Sequence, residues 1–319
     1  QKATGLRLMK TGRKGTSLAW TIAGLPRMEW MMPERIDVAH AVCMGYPVAT
    51  AKPLVVTVHD LGPLTHPRYF SHNRPWVMAR ALRQAATQAH TVVAISQATA
   101  DEIIGLHPEA RDKVRVVHSG VNARFFDAPD PAALDGLALP DAPFILAAGK
   151  MSPRKNIQGV LRALAHLADT VPHHLVLTGG DGWDVEVIER ELVETGLRDR
   201  VHMLGFVSDD ALRALYRRAA VYVHPSLYEG FGLTVLEAMA NRVPVVTSNL
   251  SSLPEVAGDA AWLVDPADPG DVAAAIRGIV SDPARAEDMR AAGLDRARAF
   301  PWHATARSMT EIYRDAARG

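Results

Sequence analysis

Two glutamates eight positions apart, Glu229 and Glu237, stand in the stretch of chain with the densest chemical content, Pro225-Ser226-Leu227-Tyr228-Glu229-Gly230-Phe231-Gly232-Leu233-Thr234-Val235-Leu236-Glu237-Ala238-Met239-Ala240. Gly230 and Gly232 let backbone N–H groups come close to a ligand, and the apolar periodicity that follows predicts a helix from Leu233 to Ala240. A helix N-terminus offers free donors and partial positive charge, which suits a phosphate. At about 1.5 Å per residue, Glu237 falls roughly two turns beyond the turn carrying Glu229. One elongated ligand then meets Glu229 at one end, the helix start in its middle and Glu237 at the other end. Hexose, diphosphate and ribose in a row have that shape. The two glutamates alone fit an acidic, solvated helix start equally well; the preceding Pro-Ser and the intervening Gly-Phe-Gly favour a ligand site.

A second set of chemical groups lies in Gly149-Lys150-Met151-Ser152-Pro153-Arg154-Lys155-Asn156. A departing nucleoside diphosphate gains negative charge, and cations placed on it stabilise the transition state. Arg154 can fork onto two phosphate oxygens and Lys155 supplies a point charge, while the bland alternative is a basic surface turn. The segment is not a Walker A loop, because the second Gly and the Lys-Ser/Thr are absent. His59 closes the apolar run Pro53–Val58 and opens His59-Asp60-Leu61-Gly62; a strand's carboxyl end is where open parallel sheets collect ligands. Asp60 is expected to anchor the turn. Metal chemistry is not expected: there is no Asp-x-Asp, the single Cys43 excludes cysteine-rich zinc spacing, and His173-His174 reads as a surface pair.

These residues need elements to hold them, and short apolar runs alternating with helical patterns predict parallel α/β sheets. In the first half strands are expected at 37–42, 54–59, 91–95 and 114–118, with helices at 74–89 and 96–106, Ser96 being the N-cap of the second. The Pro- and Asp-rich stretch 127–143 reads as a linker. In the second half strands are expected at 144–148, 174–178, 201–204, 220–223 and 243–247, and helices at 156–168, 185–195, 209–218, 233–240 and 271–280, before a polar, Ala/Arg-rich ending. About 36 residues precede the first expected strand, too few for a full βαβ unit.

With 319 residues the chain has room for two domains. Hydrophobic content of 48% excludes a mainly disordered chain, and one cysteine permits no internal disulfide. No apolar run reaches membrane-spanning length; the nearest, 17–32, is broken by Pro26, Arg27 and Glu29. The chain opens on Gln1, with neither an initiator Met nor a signal-peptide pattern, and native residues are expected to precede it. Net charge is zero, yet residues 1–126 carry 16 Lys+Arg against 8 Asp+Glu and the remainder 19 against 27. A basic first half, with Lys2, Arg7, Lys10, Arg13 and Lys14 clustered at its start, suits an anionic membrane surface or acceptor as well as it suits an ordinary mixed surface. No nucleic-acid motif is present.

The Glu229–Glu237 segment closely resembles the Glu-x7-Glu signature of the retaining glycosyltransferases of family 4. The resemblance covers residues 37–319 and is strongest over 144–265. It implies an α/β protein of the GT-B type, two Rossmann-like domains facing a cleft: residues 1–136, acceptor-side and incomplete at its start; residues 137–302, binding the nucleotide sugar; and residues 303–319, a helix crossing back. It further implies that Glu229 approaches the donor hexose, that Glu237 binds the ribose, that Arg154 and Lys155 clamp the diphosphate with help from Lys150, and that His59 lies beside the transferring sugar after cleft closure. Gly179 and Gly180, in Thr178-Gly179-Gly180-Asp181-Gly182-Trp183, are expected to admit the nucleotide. Phe206 and Val207 are expected to contact the base through backbone atoms, and Gly230, Phe231, Gly232 and Leu233 to line the donor. The expected partners are a GDP- or UDP-sugar donor and a lipid-linked or oligosaccharide acceptor, with no metal and no other cofactor. The His59-Asp60-Leu61 segment resembles mannosyl- and rhamnosyl-type transferases of bacterial surface polysaccharide synthesis, which implies a cytoplasmic protein, peripheral at the inner face of the membrane. A nucleotide-sugar 2-epimerase and a non-catalytic nucleotide-binding subunit are the alternatives. One departure is Arg242, where the family usually has Gly; Asn241 is expected to take the left-handed conformation in its place.

Overall fold

Runs of β-branched and aliphatic residues three to five long, separated by helical patterns, build two all-parallel sheets in the computed structural model, which describes residues 19–32, 35–70, 75–180, 182 and 184–318. The basic cluster Lys2 to Lys14, together with Arg74, Asp181 and Trp183, lies outside the described residues. The described chain forms two compact units. One gathers the residues up to Leu64, those between 75 and 117, and those from Arg307 onward; the other gathers Thr65–Phe70 and His118–Ala306.

In the first unit β1 (Ala39–Ala41), β2 (Leu54–Val58), β3 (Thr91–Ala94) and β4 (Val114–Val116) pair in that order. Every residue of β2 and β3 is buried, as expected of parallel strands covered on both faces. Helices α1 (Pro75–Gln88) and α2 (Gln97–Leu106) close one face through Leu82, Ala85 and Ile103. Ser96 caps α2 as expected, its Oγ accepting from the Thr99 N–H at 3.1 Å, and Asp60 does anchor its turn, accepting from the Gly62 N–H at 3.0 Å.

In the second unit the strands are β5 (Phe144–Ala148), β6 (His174–Thr178), β7 (Val201–Met203), β8 (Val221–His224), β9 (Val245–Ser248) and β10 (Trp262–Val264), paired in the order β10-β9-β8-β5-β6-β7. Counted within the unit this is 6-5-4-1-2-3, the Rossmann order, with its reversal between β5 and β8. Helices α3 (Ile157–Leu167), α4 (Val185–Thr195), α5 (Asp209–Arg218), α6 (Leu233–Ala240), α7 (Leu253–Ala257), α8 (Pro269–Val280), α9 (Pro283–Arg298) and α10 (Trp302–Arg318) complete the chain. One face of the sheet buries Ile145, Leu175, Leu177, Val221, Val223 and Val246 against α3, α4 and α8. On the other, Tyr222 of β8 meets Tyr216 of α5 edge-on, ring centroids 5.1 Å apart.

Several boundaries differ from the sequence reading. Strand β10 and helix α9 were not expected as elements: β10 is a three-residue edge strand with Leu263 exposed, and α9 buries only Ala286, Gly293 and Ala297. The polar ending is thus two long helices. Asn241 does not become left-handed (φ −87°); Arg242 itself does, at φ 60°. Asn241 is instead fully buried, its side-chain amide donating to the Glu237 carbonyl at 2.9 Å, so its backbone continues the helix end. Helix α10 belongs to both units: Thr305, near its start, donates to the His118 carbonyl at 2.7 Å within the second unit. Beyond residue 307, Met309, Ile312, Tyr313 and Ala316 lie at i, i+3, i+4 and i+7 and cover Val55 and Val93 of the first sheet and Val117 just past β4.

Candidate active site

In an open parallel sheet the two strands flanking the order reversal send their following loops to opposite sides, which opens a crevice at their carboxyl ends. Here those strands are β5 and β8, and their loops are Gly149–Asn156 and Pro225–Gly232. The two segments singled out in the sequence therefore converge, although Arg154 and Glu229 are 75 residues apart in the chain. Asn156, left-handed at φ 54°, fastens the convergence: its Nδ2 donates to the carbonyls of Pro225 (3.2 Å) and Pro266 (2.7 Å).

Glu229 is the centre of the cluster. Its Oε1 accepts from Arg154 Nη1 at 2.6 Å, Lys155 Nζ at 2.6 Å and Ser226 Oγ at 3.0 Å, with His224 Nε2 at 3.3 Å. Burial opposes ionisation of this carboxyl, but Lys155, the His224 contact and Arg154 together outweigh it and hold its pKa well below the usual range. Burial also lowers the pKa of Lys155, with the Glu229 charge working in the other direction. His224 is buried and pushed down to about 4, by desolvation first and the Lys155 charge second, so it is neutral at pH 7. The backbone of Glu229 is fixed as firmly: its N–H donates to Ser251 Oγ at 2.9 Å, and its carbonyl accepts from Ser251 Oγ (2.7 Å) and Ser252 Oγ (2.9 Å). A network of this kind rigidifies its members once every polar atom is satisfied.

Helix α6 begins directly after this cluster, with left-handed Gly232 (φ 108°) at its N-cap. A Cβ there would stand 2.7 Å from Leu253 Cδ2, so the helix start and α7 pack through the missing side chain. About one turn along, Glu237 is half-buried and no hydrogen bond to its carboxylate is formed among the described residues. Its pKa is pushed up to about 7, by burial first and by the Asp209 charge second. The site thus holds one carboxylate that is ion-paired and tethered and a second that is desolvated and, among the described residues, without a hydrogen bond.

The other expected residues occupy less constrained positions. Lys150 is exposed at the end of β5. Gly179 (φ 140°) abuts Gly149, where a Cβ would collide with the Gly149 carbonyl, so its first role is loop packing; at Gly180 a Cβ meets open space. Phe206, after β7, is 84% exposed, and Val207 is half-buried. Phe231 is buried and Leu233 half-buried. His59 belongs to the first unit, at the carboxyl end of β2, with Nε2 2.8 Å from the Val42 carbonyl. Its strand neighbour Thr57 meets His40 Nε2 at 2.8 Å, and His40 Nδ1 meets Tyr313 Oη at 2.7 Å. The pair His173-His174 is not a simple surface pair, since His174 Nδ1 lies 2.8 Å from His202 Nε2 in a stacked arrangement. Sequence reasoning did not single out Ser226, His224, Ser251 or Ser252 as site residues. The place of Ser226 beside the glutamate signature was the available signal. Among the described residues no group of three His, Cys, Asp or Glu is placed to hold a metal ion. A groove of about 590 Å³ lined by Arg217, Arg242, Arg298 and Trp302 also lies in this unit, away from the β5 and β8 strand ends.

Two parallel Rossmann-type sheets, the second with cations and carboxylates at its switch point, define the GT-B class of glycosyltransferase structure. The chain belongs to the glycosyl transferases group 1 family, which matches residues 135–296, and residues 9–125 match the glycosyltransferase family 4 pattern. It is 36% identical over 254 residues to O-antigen chain mannosyltransferase B of Escherichia coli, covering 78% of this chain and 66% of that protein. It is 31% identical over 318 residues to D-inositol 3-phosphate glycosyltransferase of Thermobispora bispora, covering 92% of this chain and 74% of that one. The first of these relatives therefore has about a third of its length without counterpart here. Among solved structures, HepE of Anabaena in complex with UDP-glucose shares the fold with a TM-score of 0.73 at 20% identity, over 88% of this chain and 79% of that chain.

Proposed function

We propose that the chain is a retaining hexosyltransferase that moves a mannosyl or similar group from a GDP- or UDP-sugar to an acceptor hydroxyl on a lipid-linked or oligosaccharide glycan, in polysaccharide or glycolipid synthesis. The observation that carries the reading is the pair of unlike carboxylates on one short stretch. Glu229 is ionised and tied to Arg154 and Lys155, while Glu237, about one turn into α6, is desolvated and without a hydrogen bond to its carboxylate among the described residues. The first arrangement suits the hexose and diphosphate end of a donor, and the second suits two ribose hydroxyls.

In the reaction, the bond from the anomeric carbon to the diphosphate oxygen breaks and a bond from the acceptor oxygen forms on the same face. The acceptor proton passes to the departing phosphate, so no carboxylate nucleophile is consumed. Arg154 and Lys155 take up the charge that grows on the leaving diphosphate, Glu229 orients the sugar, and His59 acts at its reacting face. A divalent ion is not required, because the cations and the α6 N-terminus supply the positive potential. The similarity to an O-antigen mannosyltransferase favours mannose, and HepE in complex with UDP-glucose keeps a UDP-sugar in play. No helix among the described residues is long and apolar enough to cross a membrane. The excess of basic residues in the first half favours a cytoplasmic enzyme working at the anionic inner face of the membrane.

Titration of GDP and UDP, with EDTA present, into the wild type and Glu237→Ala is the direct test. One nucleotide is expected to bind at micromolar strength and to lose at least tenfold in the variant. Turnover of the matching sugar nucleotide should then give a product with the donor's anomeric configuration. Release of free epimerised sugar nucleotide would replace the transferase reading with an epimerase one.

A further inference from the structure

Thr65–Phe70 lies in the first half of the sequence, six positions past His59, yet it packs within the second unit. Its 3-10 turn, Pro67–Tyr69, lies against the Pro153–Lys155 turn that carries both cations of the site. Its aromatic groups converge on Tyr228, the residue immediately before Glu229. His66 stands 4.7 Å from the Tyr228 ring, Phe70 meets the same ring edge-on at 6.2 Å, and Tyr69 stacks with His66 at 5.9 Å with the rings 8° from parallel. Arg68 lies over Tyr69 and donates to its hydroxyl at 2.7 Å. Tyr69 and Tyr228 are both buried, so His66 packs against two fixed rings.

An imidazole fixed this firmly has its two nitrogens in fixed directions. Nδ1 of His66 is engaged by Thr65 Oγ1 at 2.8 Å, and Nε2 has no hydrogen-bond partner among the described residues. Burial first, and the neighbouring Arg68 charge second, lower its pKa, so the ring is neutral at pH 7. A neutral imidazole can donate or accept a single directional hydrogen bond without adding charge to a site that already balances two cations against Glu229. A sugar hydroxyl is a neutral partner of that kind, whereas a diphosphate is not.

From this geometry we propose that Thr65–Phe70 is part of the donor site and that His66 is a specificity-determining residue, its Nε2 hydrogen-bonding a hydroxyl of the transferred hexose. The inference rests on the donor-site reading above and adds to it a residue from outside both sequence signatures. Packing against Tyr228 makes the imidazole position depend on the Glu229 turn, so hexose selection and sugar orientation are set by one packed unit.

The test compares nucleotides with and without the sugar: GDP, GDP-mannose, UDP and UDP-glucose titrated into the wild type, His66→Phe and His66→Gln. Phe keeps the stack and removes the hydrogen bond; Gln restores a neutral hydrogen-bonding group. His66→Phe should bind the nucleoside diphosphate as the wild type does, which also demonstrates its folding, and bind the sugar nucleotide about tenfold more weakly; His66→Gln should recover part of that loss. Equal weakening of both ligands, or of neither, overturns the inference and leaves the donor site standing. A wild type that binds none of the four defeats the donor-site reading itself, and this inference with it.

Discussion

Glu237 holds a desolvated carboxyl that makes no hydrogen bond among the described residues, so the nucleotide binding proposed for it is a proton-linked event. Ribose hydroxyls donate hydrogen bonds, so the ionised carboxylate is the form that receives them. In the free protein its pKa is raised to about 7. Affinity for the nucleotide should therefore rise as pH climbs through 7 and level off about one unit above, and calorimetry with Glu237→Gln should give a flat profile over the same range. The same shift has a stability counterpart of definite sign. A folded-state pKa raised from 4.5 to about 7 means that the stabilising proton is held fully below pH 4.5 and lost as pH rises through 7. That loss is on the order of 3 kcal/mol at most. The Gln variant should accordingly melt well above the wild type at pH 8 and close to it at pH 4.5. A melting difference that ignores pH would show that Glu237 is solvated and ordinary.

At the scale of elements, the proposed donor site depends on how α6 starts. Gly232 is left-handed, and a methyl group there runs into Leu253, which is itself fully buried. Gly232→Ala should cost about 2 kcal/mol from the backbone conformation and the displaced α7 together. It should also weaken nucleotide binding, because the α6 N–H groups move; denaturant unfolding and titration of one preparation would check both. The interior strands β5 and β6 and the helices α4, α5 and α6 were legible residue for residue, since their apolar runs are unbroken and Gly, Asp or Ser punctuates their ends. Strand β10 and helix α9 were not, for a common reason. An edge strand with one buried residue has no alternation to read, and a helix packing through Ala and Gly leaves no apolar stripe. In the site, both signatures were visible because their residue types are demanding. The grip of Ser251 and Ser252 on the Glu229 backbone was not, since it arises from a left-handed serine (φ 51°) brought in by tertiary structure. Arg242 was legible as an anomaly, and the structure resolves it in the direction that strains the backbone, by about 1 kcal/mol relative to glycine.

For the molecule as a whole, the last helix is shared property. Removing residues 307–319 takes Met309, Ile312, Tyr313 and Ala316 away from Val55, Val93 and Val117 and leaves His40 without its tyrosine. The first unit should then unfold in a separate, lower-temperature calorimetric transition, while nucleotide binding by the second unit persists; a single unchanged transition would refute this. The order of the second sheet has a consequence in time. Strands β5 and β8 are neighbours in space, but β6 and β7 are made between them, so the centre of the sheet closes only after its flank has been synthesised. Until β8 arrives, Lys155 has no carboxylate and stays in water, because a lone buried ammonium is too costly. With Glu229 and Glu237 holding the nucleotide as proposed, a nascent chain gains that pocket late, only when the residues through Glu237 have cleared the ribosome.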